Sequence, residues 1–239
     1  MEITEIDNPN KIVIKPFSFT CDIVDNSIPA PLMKKFGFAY LLVGKPSSGK
    51  TTMLLNLLCK RNKLYNNKFE KVLLFSPSLK TIKNNPFTDG LPPEQIYDEL
   101  TDDILEEALD SLEDDEKTLM IFDDVVNDIT KSVKNRMKKL IMNRRHIAGS
   151  VSIILTTQVY NLIPLPIRKQ LDIIFLYPTK NIKEIESVRE EYVNFFSKKQ
   201  FNKVLDYVFD KKHNFLLIKT RAAPKNMLYK NWNKLVINK

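Results

Sequence analysis

The chain has 239 residues, 43% hydrophobic and 28% charged, with a formal net charge of +8, a balance that excludes a disordered polyelectrolyte and supplies enough apolar side chains for a substantial core. Its longest apolar stretches, such as Ala39 to Val43 and Leu119 to Phe122, fall far short of the roughly 18 residues of a membrane span. Met1-Glu2-Ile3-Thr4-Glu5 lacks the basic-then-apolar order of a secretory leader, and Cys21 and Cys59 form neither a CxxC pair nor a Cys/His cluster, so a cytosolic-type protein without a disulfide framework or a zinc site is expected.

The charge is unevenly spread. Twelve of the 29 acidic residues lie between Glu94 and Glu116, where no Lys or Arg stands, so the rest of the chain is a strongly basic body of the kind that attracts polyanions.

Taken in chain order, the first strong signal follows an almost continuous apolar strand, Phe36-Gly37-Phe38-Ala39-Tyr40-Leu41-Leu42-Val43. That strand runs into Gly44-Lys45-Pro46-Ser47-Ser48-Gly49-Lys50-Thr51 and then Thr52-Met53-Leu54-Leu55-Asn56-Leu57-Leu58-Cys59, apolar at helical spacing. GxxxxGK[ST] between a strand and a helix is the P-loop: backbone N–H groups of the loop wrap phosphates, and the helix adds its positive end. Two of the chain's five glycines, Gly44 and Gly49, stand at the motif's fixed places. Gly44 to Thr52 are therefore the expected ATP-binding residues, with Lys50 on the β- and γ-phosphates and the Thr51 hydroxyl on Mg²⁺.

Further apolar runs alternate with helical segments, the βα order of a mostly parallel sheet. Lys71 to Phe75 is a second strand, ended by Ser76-Pro77. A loop with Asn84-Asn85-Pro86 and Pro92-Pro93 leads to the acidic helix. Lys117 to Phe122 is a third strand, a basic helix covers Ile129 to Arg145, and Val151 to Gln158 is a fourth strand. Leu171 to Tyr177 is a fifth, Lys183 to Phe196 a helix, and Asn214 to Lys219 and Asn226 to Tyr229 short strands of a C-terminal extension. Residues 1–35 are read as an extension packing on the core, and 36–239 as one catalytic domain with a basic β-hairpin and tail.

Two strand ends complete the chemistry. Leu119-Met120-Ile121-Phe122-Asp123-Asp124 is the Walker B pattern, in which a buried strand delivers a carboxylate to the sheet edge opposite the P-loop. Asp123 suits Mg²⁺, and Asp124 suits the orientation and deprotonation of an attacking water. Gln158, closing Ile153 to Gln158, places an amide where it can bond that water and the γ-phosphate. Since this strand follows the Walker B strand, the order fits ATPases that insert an additional strand between the Walker A and Walker B strands. Nucleoside kinases need no such Gln.

GKPSSGKT, LMIFDD, Asn143-Arg144-Arg145-His146 before a strand, and that strand's closing Thr156-Thr157-Gln158 together resemble the FtsK-HerA superfamily of DNA-pumping ATPases. They resemble in particular its poxvirus-type genome-packaging branch in large eukaryotic DNA viruses and virophages. The resemblance covers roughly Gly37 to Lys219. It implies an α/β P-loop NTPase of the additional-strand, RecA-like kind that hydrolyses ATP with Mg²⁺ and moves double-stranded DNA without reading its sequence into a preformed capsid. It implies a homo-oligomeric ring, pentamer or hexamer, a capsid or portal/membrane-vertex protein as a further partner, and a place in the virion or at the assembly site in the host cytoplasm.

In that family an arginine between the Walker B helix and the next strand acts on the neighbouring subunit's ATP. Arg144 and Arg145 both occupy the matching place, with Arg145 favoured because it directly precedes His146; Arg168 is a further alternative. Candidate DNA contacts are Lys131, Lys134, Arg136, Lys138 and Lys139 of the basic helix, and the basic tail with Tyr229 and Trp232. The competing readings are a RecA-like or hexameric helicase on single strands, a P-loop nucleoside or nucleotide kinase, and a nucleotide-gated binding module without turnover.

Overall fold

A computed structural model describes residues 24–58, 64–78, 90–125, 129 and 131–237. Cys21, Cys59, the loop Asn84 to Pro86 and most of the expected N-terminal extension lie outside these residues, as does the side chain of Lys131.

The apolar runs form strands because each is buried on both sides, as a parallel sheet covered by helices requires. Along β1 (Ala39–Val43) every residue is buried. The pleat sends Ala39, Leu41 and Val43 into one core and Tyr40 and Leu42 into the other. The chain continues through α1 (Lys50–Leu58), β2 (Lys71–Phe75), β3 (Ile96–Tyr97), α2 (Asp102–Asp110), β4 (Lys117–Asp123) and α3 (Lys131–Asn143). It goes on to β5 (Ser150–Thr157), α4 (Leu165–Arg168), β6 (Ile173–Leu176), α5 (Ile182–Tyr192), α6 (Lys198–Val208), β7 (Leu216–Lys219), β8 (Leu228–Lys230) and β9 (Asn233–Lys234).

The nine strands form one sheet in the order β3-β2-β4-β5-β1-β6-β7-β8-β9. All pairings from β3 to β6 are parallel, and β7, β8 and β9 are added antiparallel. The additional strand β5 lies between β1 and β4, as the sequence order implies. Helices α2 to α6 contribute to one core; α1 and the segment from Ile28 to Phe38 contribute to the other. In that second core Tyr40 and Tyr65 share a 2.6 Å hydroxyl contact and both bond the Met33 backbone.

Several boundaries differ from expectation. Gly37 takes φ +72°, so the strand starts at Ala39 rather than Phe36. The acidic segment yields a nine-residue helix, capped by Thr101, whose side chain accepts from the Ile104 N–H. The helix expected over Lys183 to Phe196 stops at Tyr192, and α6 was not anticipated at all. Its Ser197 and Gln200 form a capping box, and Phe201, Leu205 and Val208 give it a buried stripe.

Candidate nucleotide-binding site

The P-loop follows directly from β1, at the edge where the parallel strands end. Its first N–H, from Gly44, donates to the Thr157 carbonyl of β5 at 3.0 Å, while Tyr177 N donates to Val43 O at 2.8 Å, so both neighbouring strands fix the entry to the loop. A Cβ at Gly44 would stand 2.5 Å from Ser48 Oγ and 2.8 Å from Tyr177 Cβ; the turn closes only with a hydrogen there. Gly49, at φ +108°, adopts a conformation that side chains strongly disfavour.

Pairing across β5 then aligns the two motifs. Val43 pairs with Thr157 and Asp123 with Thr156, so Walker A and Walker B end at adjacent levels of the sheet. The result is a cleft of about 300 Å³ lined by the loop from Pro46 to Thr52 and by Asp123, Asp124 and Gln158. Gly44 and Lys45 face the same centre through their carbonyls: Lys50 Nζ donates to Gly44 O at 2.5 Å and to Lys45 O at 3.3 Å. Burial pushes the Lys50 ammonium below its usual range, while Asp124 and Asp123 pull it back up. A cation half removed from water and facing open space is suited to phosphate.

The two acids are held differently. Asp123 Oδ1 accepts from Thr156 Oγ1 at 2.6 Å and Oδ2 from Ser76 Oγ at 3.2 Å. Asp124 turns at φ +58°, its N–H donates to Thr156 Oγ1 at 3.0 Å, and its Oδ2 accepts from Gln158 Nε2 at 2.6 Å. Thr156 therefore organises both carboxylates. Thr156, Ser76 and His213, whose Nδ1 donates to Ser48 O at 3.1 Å, were not singled out for these roles from sequence. The available signal was a hydroxyl at the end of an otherwise apolar strand; which acid it meets depends on register.

The site's chemistry suits Mg²⁺. The Asp123 carboxylate and the Thr51 hydroxyl present hard oxygen donors to one cleft. Ser48 Oγ, buried in the loop, is a further polar atom without a hydrogen-bond partner among the described residues.

A family model, the poxvirus A32 protein, matches residues 30–222. The chain belongs to the poxvirus A32 family. No individual curated protein sequence matches it. Among solved structures, B204 of Sulfolobus turreted icosahedral virus 2, a genome-packaging NTPase in complex with ATPγS, is similar to this A32-family chain. It shares 18% identity with TM-score 0.52, covering 83% of this chain and 98% of that one. B204 of Sulfolobus turreted icosahedral virus, a DNA-packaging ATPase, shares 16% identity with TM-score 0.54 over 82% of this chain and 98% of that one. ATPases 2 and 3 of EssC from Geobacillus thermodenitrificans share 14% with TM-score 0.51 over 82% of this chain and 40% of that one. These likenesses establish the fold, an α/β P-loop fold with a mostly parallel sheet.

Arg144 and Arg145 of this A32-family chain lie at the other end of the strands. Arg144 is 3% exposed. Its guanidinium donates to Gly37 O at 2.7 Å, to Ile141 O at 2.6 Å and to Asp172 Oδ2 at 2.8 Å. That corrects the reading of Arg144 as a catalytic finger: every direction of its fork is taken by buried protein acceptors, and the side chain ties α3 to the starts of β1 and β6. Arg145 is half-buried, and its Nε has no hydrogen-bond partner among the described residues. Arg168 is bound to Glu191 at 2.9 Å and Asn161 at 2.9 Å, over the Tyr160 ring.

The DNA candidates also separate. Arg136 grips Asp102 at 2.8 and 2.9 Å and Glu106 at 3.1 Å, so acidic α2 neutralises that position of basic α3. Lys134, Lys138 and Lys139 are exposed. Trp232 packs against Phe215 and Phe175, close to the P-loop. Among the described residues no helix is long and apolar enough to cross a membrane.

Proposed function

We propose that this A32-family chain is an ATP-hydrolysing motor that drives double-stranded DNA into a viral capsid, acting as a homo-oligomeric ring at the site of virion assembly. The single observation that carries the ATPase reading is the meeting of Lys50, Asp123 and the Asp124–Gln158 pair in one cleft, with β5 interposed between the Walker strands. Family membership, and the likeness to viral proteins described as packaging ATPases, favour DNA as the load. The exposed lysines of α3 supply sequence-independent phosphate contacts.

In the mechanism, the loop N–H groups and Lys50 hold the β- and γ-phosphates. The Asp124 carboxylate takes a proton from water as the water oxygen bonds to the γ-phosphorus and the bond to the β-phosphate oxygen breaks, releasing ADP and phosphate. Gln158 fixes the carboxylate that receives this proton. Thr51 and Asp123 would hold Mg²⁺, which supplies charge neutralisation at the phosphate oxygens.

Arg145 is the proposed finger. It lies against Gly37, seven residues before Gly44, a span of roughly 23 Å along an extended strand. No arginine side chain covers that distance, so Arg145 can serve only a neighbour's nucleotide. The ring, its pentameric or hexameric count and the capsid or vertex partner belong to this proposal, as does the division into extension 1–35 and motor 36–239.

The deciding experiment measures phosphate release without DNA, with single-stranded DNA and with double-stranded DNA. Double-stranded DNA should stimulate most, and the stimulation should fall steeply with salt. Preference for single strands would replace the packaging reading with a helicase, and transfer of the γ-phosphate to a nucleoside would replace it with a kinase.

A further inference from the structure

The phosphate cleft continues past the P-loop. Gly49, Thr52 and His213 line both it and a second cavity of about 500 Å³, whose far wall is aromatic: Tyr177, Phe215 and Trp232. Where the two meet, a Cβ at Gly49 would lie 3.6 Å from His213 Nδ1 and 3.7 Å from Tyr177 Cε1, in ordinary van der Waals contact with both side chains. Trp232 comes from the turn between β8 and β9, in the C-terminal extension. Phe215 and Phe175 hold its indole edge-to-face, at centroid distances of 5.5 and 6.1 Å and interplanar angles of 79° and 74°, and 40% of the residue stays exposed.

We propose that this cavity receives the nucleobase of the bound nucleotide, that Trp232 is its stacking surface, and that the base is selected by stacking and not by hydrogen bonds. The proposal rests on the P-loop reading above and adds a recognition element that the motif does not contain. Continuity supplies the occupant: a nucleotide seated by its phosphates on Gly49 to Thr52 carries its base out of the cleft past those same residues. The polar side chains supply the selectivity argument. The Tyr177 hydroxyl donates to Gly49 O at 3.4 Å, His213 Nδ1 to Ser48 O at 3.1 Å, and Asn56 Nδ2 to Thr52 O at 2.7 Å. These three donors are turned toward backbone, and the rings of Tyr177, Phe215 and Trp232 offer π-surface, which every base can stack on. Trp232 thus moves from the DNA contacts expected from sequence to the nucleotide.

The test exploits the fact that Trp232 is the chain's one tryptophan. The whole chain is titrated with ADP, GDP and inorganic tripolyphosphate, following tryptophan emission and heat of binding. ADP and GDP should change the emission and bind within about threefold of each other, whereas tripolyphosphate should bind with the emission unmoved. In Trp232→Ala the affinity for ADP should fall by about tenfold, the scale of one lost base–aromatic stack, with tripolyphosphate unaffected. Trp232→Phe should restore most of it. Unchanged ADP affinity in Trp232→Ala, or equal loss of ADP and tripolyphosphate, overturns the base site while tripolyphosphate binding to the wild type leaves the P-loop standing. If the wild type binds neither ligand, both readings fall.

Discussion

The two ends of the parallel strands carry similar side chains and do different work. At the end where the P-loop lies, charged groups are half-buried and line an open cleft: among the described residues Lys50 bonds loop carbonyls, and Asp124 bonds Gln158 and, through its backbone, Thr156. At the opposite end, Arg144 and Asp172 are 3% exposed each. There Asp172 Oδ2 also accepts from the Ala39 N–H at 2.9 Å, and Arg221 closes on Oδ1 at 3.2 Å. A charged group at a strand end is thus placed to work where it is half-buried and lines an open cleft, as Lys50, Asp123 and Asp124 do, and is a rivet where it is buried in an ion pair, as Arg144 and Asp172 are. Arg144 is a rivet, and the proposed function puts its sequence neighbour Arg145 on the other side of that line.

The largest effect expected from this contrast is at Arg145. An arginine supplied across a subunit interface is worth roughly 10³ to 10⁵ in rate in other P-loop enzymes, so Arg145→Ala should lose activity on that scale while keeping its melting temperature and ADP affinity. Mixing it with Lys50→Ala, which lacks a working site but keeps the arginine, should restore activity at mixed interfaces. A dead mixture of folded, co-assembled subunits, or a fully active dilute monomer, would break the trans assignment.

Arg144→Ala should do the reverse. Removing one partner of a buried ion pair strands the other charge, at a cost of about 3 to 5 kcal/mol. Thermal unfolding should show a large loss of stability, and any protein that remains folded should keep its ADP affinity. Wild-type stability in this variant would contradict the rivet.

Why one of these arginines was misread from sequence is physically plain. A cation near a helix C-terminus looks the same whether its fork reaches solvent or a buried carboxylate, and Asp172 is far away in sequence from Arg144. The P-loop and Asp123-Asp124 were legible because phosphate wrapping and strand delivery fix the spacing of neighbouring residues. Pairing across strands is not local, so Thr156 and Ser76 could not be matched to Asp123 before the register was known. Helix α6 was different: Ser197-Lys198-Lys199-Gln200 followed by Phe201, Leu205 and Val208 is a local signal, hidden by reading the preceding helix too far. Two-residue strands such as β3 and β9 carry too little pattern to show.

The smallest expected effect tests how finely the working end is tuned. Thr156 Oγ1 donates to Asp123 and accepts from the Asp124 N–H, and that second bond helps to hold Asp124 in a left-handed conformation that residues with a side chain adopt only under constraint. Thr156→Val keeps the shape and removes both bonds, leaving a part-buried N–H without its acceptor, at a cost of about 1 kcal/mol. Relaxing that turn moves the Asp124 carboxylate away from its place beside Gln158, whereas the loop and Lys50 are untouched. kcat should therefore fall by about tenfold, the ratio set by 1.4 kcal/mol, with ADP affinity unchanged, and Thr156→Ser should recover most of the rate because its hydroxyl can make both bonds. A loss in the Ser variant as large as that in Val would mean that the methyl packing of Thr156 matters as much as its hydroxyl, and an unchanged kcat in Thr156→Val would mean that the tuning of the two acids comes from Ser76 and Gln158 alone.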